Sequence, residues 1–309
     1  MTSENKIIQL RISIIRTLAY YDIFSYPLTA EEIFHNLGTN HTSVDELKIE
    51  LNSLTSNQLI FCKGDFFQLK DNDVYVHRRK KGNALAEKRL KTARRVSSLI
   101  SRFPFIRGIL LSGSISKGFM EEDSDIDYFV ITHPNRVWFS RLMLMLFKKI
   151  LLLNSRKNFC INYFVDSENL EISEKNIFTA TEIVTLLPTF GKDIYNEFYQ
   201  KNLWIKQFYP NYPKRETKII PDRKNGLIKN SLEIILGKKL GDKIDDFAMS
   251  LFDKFNRTRY KNYNDDDFKL AFKSSKKESK HHPKFFQKKV LVEFENKIKS
   301  LEDQLKISL

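Results

Sequence analysis

With 309 residues, 41% hydrophobic and 29% charged, the chain has room for two or three domains with sizeable cores, which excludes a disordered or fibrous protein. Its formal net charge of +14 favours an anionic partner, whether nucleotide, nucleic acid or acidic surface, without choosing among them. Cys62 and Cys160 match no metal spacing, and the opening MTSENKIIQL lacks the basic-then-apolar order of a signal peptide, so the expected compartment is the reducing cytoplasm.

An apolar-periodic stretch from Ile7 to Tyr20 predicts a first helix. Thr29, with Glu32 three residues on, forms a capping box for a short helix over 30–37 that Gly38 ends. Ser43 caps a third helix over 44–55, with Leu47, Leu51 and Leu54 on one face. Leu59-Ile60-Phe61, a turn at Lys63-Gly64-Asp65 and the run 66–69 then read as a hairpin. Three helices and a hairpin resemble a winged helix, here expected over 1–76. Such a domain reads DNA through its third helix. In this one Asp45, Glu46 and Glu50 stand against the single Lys48, which suits packing or protein docking better than a major groove.

Residues 77–103 are the most basic part of the chain. Arg78, Arg79, Lys80, Lys81, Lys88, Arg89, Lys91, Arg94 and Arg95 face only Glu87, and an apolar stripe from Leu85 to Ile100 runs at helical spacing. The pattern predicts a long connecting helix over 77–105. Its basic face either steers a nucleotide or RNA backbone or is a solvated surface.

The stretch 106–132, IRGILLSGSISKGFMEEDSDIDYFVIT, carries the strongest signal. Ile109, Leu110 and Leu111 suit a buried strand that breaks at Ser112-Gly113-Ser114, with Gly118 following. Glycines there let bare backbone N–H groups approach a phosphate. Ser124 leads into Asp125-Ile126-Asp127 and a second apolar run, 128–131. In a strand, Asp125 and Asp127 share a face while Ile126 points into the core. Adjacent carboxylates repel, a divalent cation relieves that, and Mg²⁺ characteristically takes one or two carboxylates plus substrate phosphates. The bland reading is an acidic turn in an ordinary α/β domain.

The string resembles the nucleotidyltransferase superfamily that includes DNA polymerase beta, in its minimal nucleotidyltransferase branch, at Gly113, Ser114, Lys117, Gly118, Ser124, Asp125 and Asp127. The resemblance implies transfer of a nucleotidyl group from a nucleoside triphosphate to an acceptor hydroxyl. It implies that Asp125 and Asp127 hold Mg²⁺ and that Gly113, Ser114 and Lys117 bind the triphosphate. Active members usually carry a third carboxylate in a later strand. In the predicted strand 159–165 (FCINYFV) that slot holds Asn162. Asp166 shares its parity but lies about 13 Å farther along at roughly 3.3 Å per residue, so Asn162 is the favoured occupant.

Between these strands, the apolar segment 136–153 is short for a membrane span and carries Arg141, Lys148 and Lys149, so a helix buried against the sheet is expected and no membrane. From Asn176 onward the pattern reads as helical, with a proline-bearing linker to about Asn225 and a second helical run over 227–260. Residues 261–286 read as polar and irregular, His281-His282-Pro283 as a loop with incidental histidines, and 286–305 as a final helix. The expected architecture is α+β: a nucleotidyltransferase core over 106–172, a small mixed sheet with helices, between the winged-helix-like domain and a helical C-terminal domain over 173–309. The expected partners are a nucleoside triphosphate and an unidentified small-molecule, protein or RNA acceptor, with nucleic acid a further candidate. Two alternatives stand beside the enzyme: a nucleotide-binding regulatory pseudoenzyme lacking the third carboxylate, and a winged-helix DNA-binding regulator.

Overall fold

The computed structural model describes residues 3–151, 159–222, 226–281 and 285–305. Helices α1 (Ser3–Asp22), α2 (Ala30–Asn36) and α3 (Val44–Ser56) precede an antiparallel hairpin of β1 (Phe61–Lys63) and β2 (Phe66–Gln68). Capping boxes start α2 and α3. The Thr29 hydroxyl accepts from the Glu32 amide while the Glu32 carboxylate accepts from the Thr29 amide, and Ser43 and Glu46 repeat the exchange. Helix α4 (Asp73–Ile100) begins earlier than its basic run suggests, because Asn72 Oδ1 accepts from the Val74 amide and caps it there.

Next come β3 (Ile106–Ser112), the single turn α5 (Gly113–Ser116), β4 (Asp127–Thr132), α6 (Val137–Leu151) and β5 (Cys160–Asp166). Helix α7 (Ile177–Thr185), β6 (Leu187–Phe190), α8 (Lys192–Lys201) and a 3-10 turn (Leu203–Gln207) follow. Helices α9 (Leu227–Leu236), α10 (Lys239–Arg259) and α11 (Asp265–Ala271), strand β7 (Glu278–Lys280) and α12 (Phe286–Leu305) complete the described elements.

The C-terminal half is not purely helical, and each departure has a local cause. Pro188 has no N–H to continue α7, and the chain instead runs along β3 as an edge strand, where a missing donor is tolerated. The 227–260 pattern is two helices, broken at Gly237 and Lys238. The stretch expected to be irregular contains α11, capped by Asn264, and β7, whose Glu-Ser-Lys sequence has no strand periodicity. Residues His282 and Pro283 lie outside the described residues, as do the last two positions of the helix expected over 136–153.

The five strands lie in the order β6-β3-β4-β5-β7, with β4 and β5 parallel and the other pairs antiparallel. Ile109, Leu111, Tyr128 and Val130 pack on one face, in a core shared with α4, α6 and α10. Leu110, Phe129, Ile131 and Val165 pack on the other, in a core shared with α7 and α8. That alternation is the two-residue strand period, and covering both faces is why these strands read as continuous apolar runs. The architecture is α+β. Val290, Phe294 and Ile298 of α12 enter the core of α1–α3, where Lys297 pairs with buried Asp22. No described helix is long and apolar enough to cross a membrane.

The basic run on α4 divides in two. Buried Arg79 donates to the Pro27 carbonyl, pairs with Glu32 at 2.6 Å and lies over the Tyr26 and Phe66 rings. Arg78 pairs with Glu121, and buried Arg89 donates to the Ser124 carbonyl. These three cations tie the N-terminal helices and the acidic loop to one rod. Lys80, Lys88, Lys91, Arg94 and Arg95 stay exposed.

Candidate functional site

Strand β3 ends at Ser112, opposite Asp127 at the start of β4. The chain then turns at Gly113, whose φ of +66° is the left-handed region, and a Cβ built there would overlap the Asp127 carboxylate. Both the backbone conformation and the approach of Asp127 therefore require glycine. Gly113→Ala is expected to cost about 2–3 kcal/mol in chemical denaturation, from strain plus displacement of the carboxylate. Ser114 is half-buried in the same turn, and Gly118 closes it at φ +70°, its amide donating to the Ile115 carbonyl. The Phe119 ring then occupies the space that Gly82 of α4 leaves open, and the Met120 amide donates to the Gly82 carbonyl at 3.1 Å.

Ser124 serves the loop. Its hydroxyl accepts from the Glu121 amide at 2.9 Å and its carbonyl receives Arg89, which fixes the approach to Asp125. Ile126 is fully buried between the two half-buried carboxylates. The lysine of the motif, Lys117, folds back: Nζ donates to the Gly113 carbonyl at 3.1 Å and pairs with Glu182 at 2.7 Å.

Asn162 reaches the site through a bulge. Asp127 pairs with Cys160 and Tyr128 with Ile161, but Phe129 pairs with Tyr163, so Asn162 is the extra residue. A bulge re-aims a side chain. Here Asn162 Nδ2 donates to Asp127 Oδ1 at 2.7 Å and Oδ1 accepts from the Cys160 thiol at 3.2 Å. Asp166 is elsewhere. It pairs with Thr132 at the far end of β4, roughly 16 Å from Asp127 at about 3.3 Å per residue. Buried there, it accepts from the Glu168 amide and the Asn169 side chain and holds a turn.

Burial pushes the Asp127 carboxyl up to about 7. The Cys160 thiol opposes that rise, the charges of Asp125 and Glu182 add to it, and Lys117 opposes it. Burial and the neighbouring carboxylates likewise push the Cys160 thiol up to about 12, which leaves it protonated and a poor nucleophile at neutral pH.

Two residues at the site carried no motif. Glu182 is the lone carboxylate in IFTATEIVT, and a single acid in an otherwise apolar and threonine-rich helix was the available signal. Arg215 donates to the carbonyls of Ser116 and Thr185 at 3.3 and 3.4 Å, latching the 113–118 turn to the end of α7; nothing in its linker sequence marked it.

The donor set fits a hard cation. Asp125 and Asp127 offer carboxylate oxygens, and a bound cation would offset what raises the titration of Asp127, burial first and then the charges of Asp125 and Glu182. Among the described residues no group of three His, Cys, Asp or Glu is placed to hold a metal, so other oxygens would have to come from substrate and water. No family model, no curated protein and no solved structure matches this chain.

Proposed function

We propose that the chain is a nucleotidyltransferase, moving a nucleoside monophosphate from a triphosphate to an acceptor hydroxyl on a small molecule, protein or RNA. The observation that carries this reading is the seating of Gly113 against Asp127 across β3 and β4, which puts a partly exposed glycine turn beside an acidic pair. Mg²⁺ held by Asp125 and Asp127 would neutralise charge developing on the transferring phosphoryl group. Backbone amides of the Gly113-Ser114 turn would receive phosphate oxygens. Lys117 would exchange Glu182 for the triphosphate, a short movement for a side chain already beside the turn.

A second reading, a nucleotide-binding pseudoenzyme, is favoured by Asn162. Its amide is uncharged and cannot act as a base where a third carboxylate would. The winged-helix reading of α1–α3 and the hairpin fits a packing role. Two of the three α3 acids pair with α1, Glu46 with Lys6 at 2.6 Å and Glu50 with Arg11 at 2.5 Å.

The test is label transfer from each α-labelled triphosphate, with Mg²⁺, to small-molecule, RNA and protein fractions of a cell extract, alongside calorimetric nucleotide binding. A labelled product that disappears in Asp125→Ala supports the enzyme. Saturable binding without product supports the pseudoenzyme, and neither binding nor transfer removes both. Asp166→Ala is expected to leave nucleotide binding unchanged while lowering stability by about 1–3 kcal/mol, the cost of orphaning buried turn donors.

A further inference from the structure

Helix α9 is turned inside out. Its Lys229, only 7% exposed, donates to the Ser101 and Ile106 carbonyls, and Glu233 accepts from the Phe105 amide and pairs with Arg107. Meanwhile Leu227 and Ile228 are 86% and 80% exposed, with Ile234 and Ile235 also in solvent. A helix serving only its own monomer does the reverse.

Helix α10 continues the theme. One side is committed to the protein: Asp245 accepts from the Phe139 amide, and Ala248 and Phe252 join the core. The other side presents Leu240, Phe247, Leu251 and Phe255 to solvent, with Ile244 half-buried among them in sequence. Together the two helices expose on the order of 1,000 Å² of apolar side chain. Exposure summed over these residues is on the scale of the ~800 Å² each partner brings to a standard interface.

The arrangement along α10 indicates what covers it. Leu240 and Phe255 are equidistant from the point between Phe247 and Ala248, and so are Ile244 and Leu251. A stripe that maps onto itself under a half-turn lets an antiparallel pair set apolar residue against apolar residue along its length, in an isologous contact where residue i meets j and j meets i. The acids of its polar face are already paired within the chain, Asp246 with Lys276 and Asp253 with Arg257, so the surface left to be covered is the apolar stripe.

We propose that a second copy of this chain covers this face, with α10 antiparallel to its counterpart, so that Leu240 packs on the partner's Phe255 and Ile244 on the partner's Leu251. The contact does not depend on the nucleotidyltransferase reading.

Sedimentation of the full chain at micromolar concentration tests it. The unaltered protein is expected to be a dimer, and Phe247→Asp combined with Leu251→Asp is expected to weaken association at least ~100-fold with far-ultraviolet circular dichroism unchanged, as loss of central apolar anchors does. Both positions face solvent in the monomer, so the fold does not depend on them. Register is read separately in a Cys62→Ser background. Phe247→Cys, near the two-fold axis, is expected to oxidise to a linked dimer, and Leu240→Cys to link to Phe255→Cys but not to itself. A monomer at high micromolar concentration, a dimer that survives the two aspartates, or self-linking of Leu240→Cys overturns the proposal. So does a monomer that instead cosediments with phosphatidylglycerol vesicles, which assigns the face to lipid.

Discussion

Asp127→Asn is expected to weaken Mg²⁺-nucleotide binding at least ~100-fold, about 2.8 kcal/mol, while stabilising the metal-free protein at pH 8. Loss of binding follows from removing one of two charges that a cation would use. The gain in stability follows from titration. The folded carboxyl titrates near 7 and an ordinary aspartate at 3.8, so between these values the folded state holds a proton that the unfolded chain has released. Stability conferred below pH 4 is therefore lost progressively as pH rises to about 7 and is level above it. The loss runs at about 1.4 kcal/mol per pH unit across that window, so removing the charge restores a few kcal/mol at pH 8. Asp245, pushed up to about 6 by burial, leaves a residual slope of the same sign in both proteins. Denaturant melts in EDTA from pH 4 to 8, with calorimetric titration of Mg²⁺-nucleotide at pH 8, check both halves. Unchanged nucleotide binding in the variant would show that Asp127 is not a ligand.

Asn162→Asp is expected to act in the opposite direction on both measurements. In EDTA at pH 8 it replaces a 2.7 Å hydrogen bond with a second carboxylate beside Asp127. Like charges about 4 Å apart at an effective dielectric near 20 repel by roughly 4 kcal/mol, so the metal-free protein loses stability on that scale unless the pair retains a proton. Added Mg²⁺ is expected to recover the loss. Any basal transfer rate is expected to rise about tenfold or more, which needs only about 1.4 kcal/mol of barrier. A variant that is destabilised, is not rescued by Mg²⁺ and shows no gain in nucleotide affinity would mean that Asn162 only tethers the strand end.

The bulge that carries Asn162 shows where local sequence stops being informative. A strict two-residue period keeps Cys160, Asn162 and Phe164 on one face, yet Cys160 lies opposite Asp127 while Phe164 packs with Tyr128 and Val130 on the other side of the sheet. The register shift between Ile161 and Tyr163 removes that constraint, and FCINYFV contains no glycine or proline to announce it. The opposite holds for the capping boxes of α2 and α3. Their chemistry is complete within four or five residues, so the sequence alone locates them.

By itself the sequence determined the elements whose causes are local: the capped helices α2 and α3, the hairpin, the buried strands β3, β4 and β5, and the acidic pair Asp125 and Asp127 beside a glycine turn. Tertiary structure decided the rest. Strands β6 and β7 exist because β3 and β5 offered unpaired edges, and backbone pairing accepts Leu-Pro-Thr-Phe or Glu-Ser-Lys as readily as an apolar run. Arg78, Arg79 and Arg89 became ties because acids and carbonyls of distant segments fold against α4, while equally basic neighbours stayed in water. Glu182 reached the site only when α7 packed on the sheet face that Asp127 shares. Charge and spacing along a chain state what a side chain can do, and only packing between segments remote in sequence states what it meets.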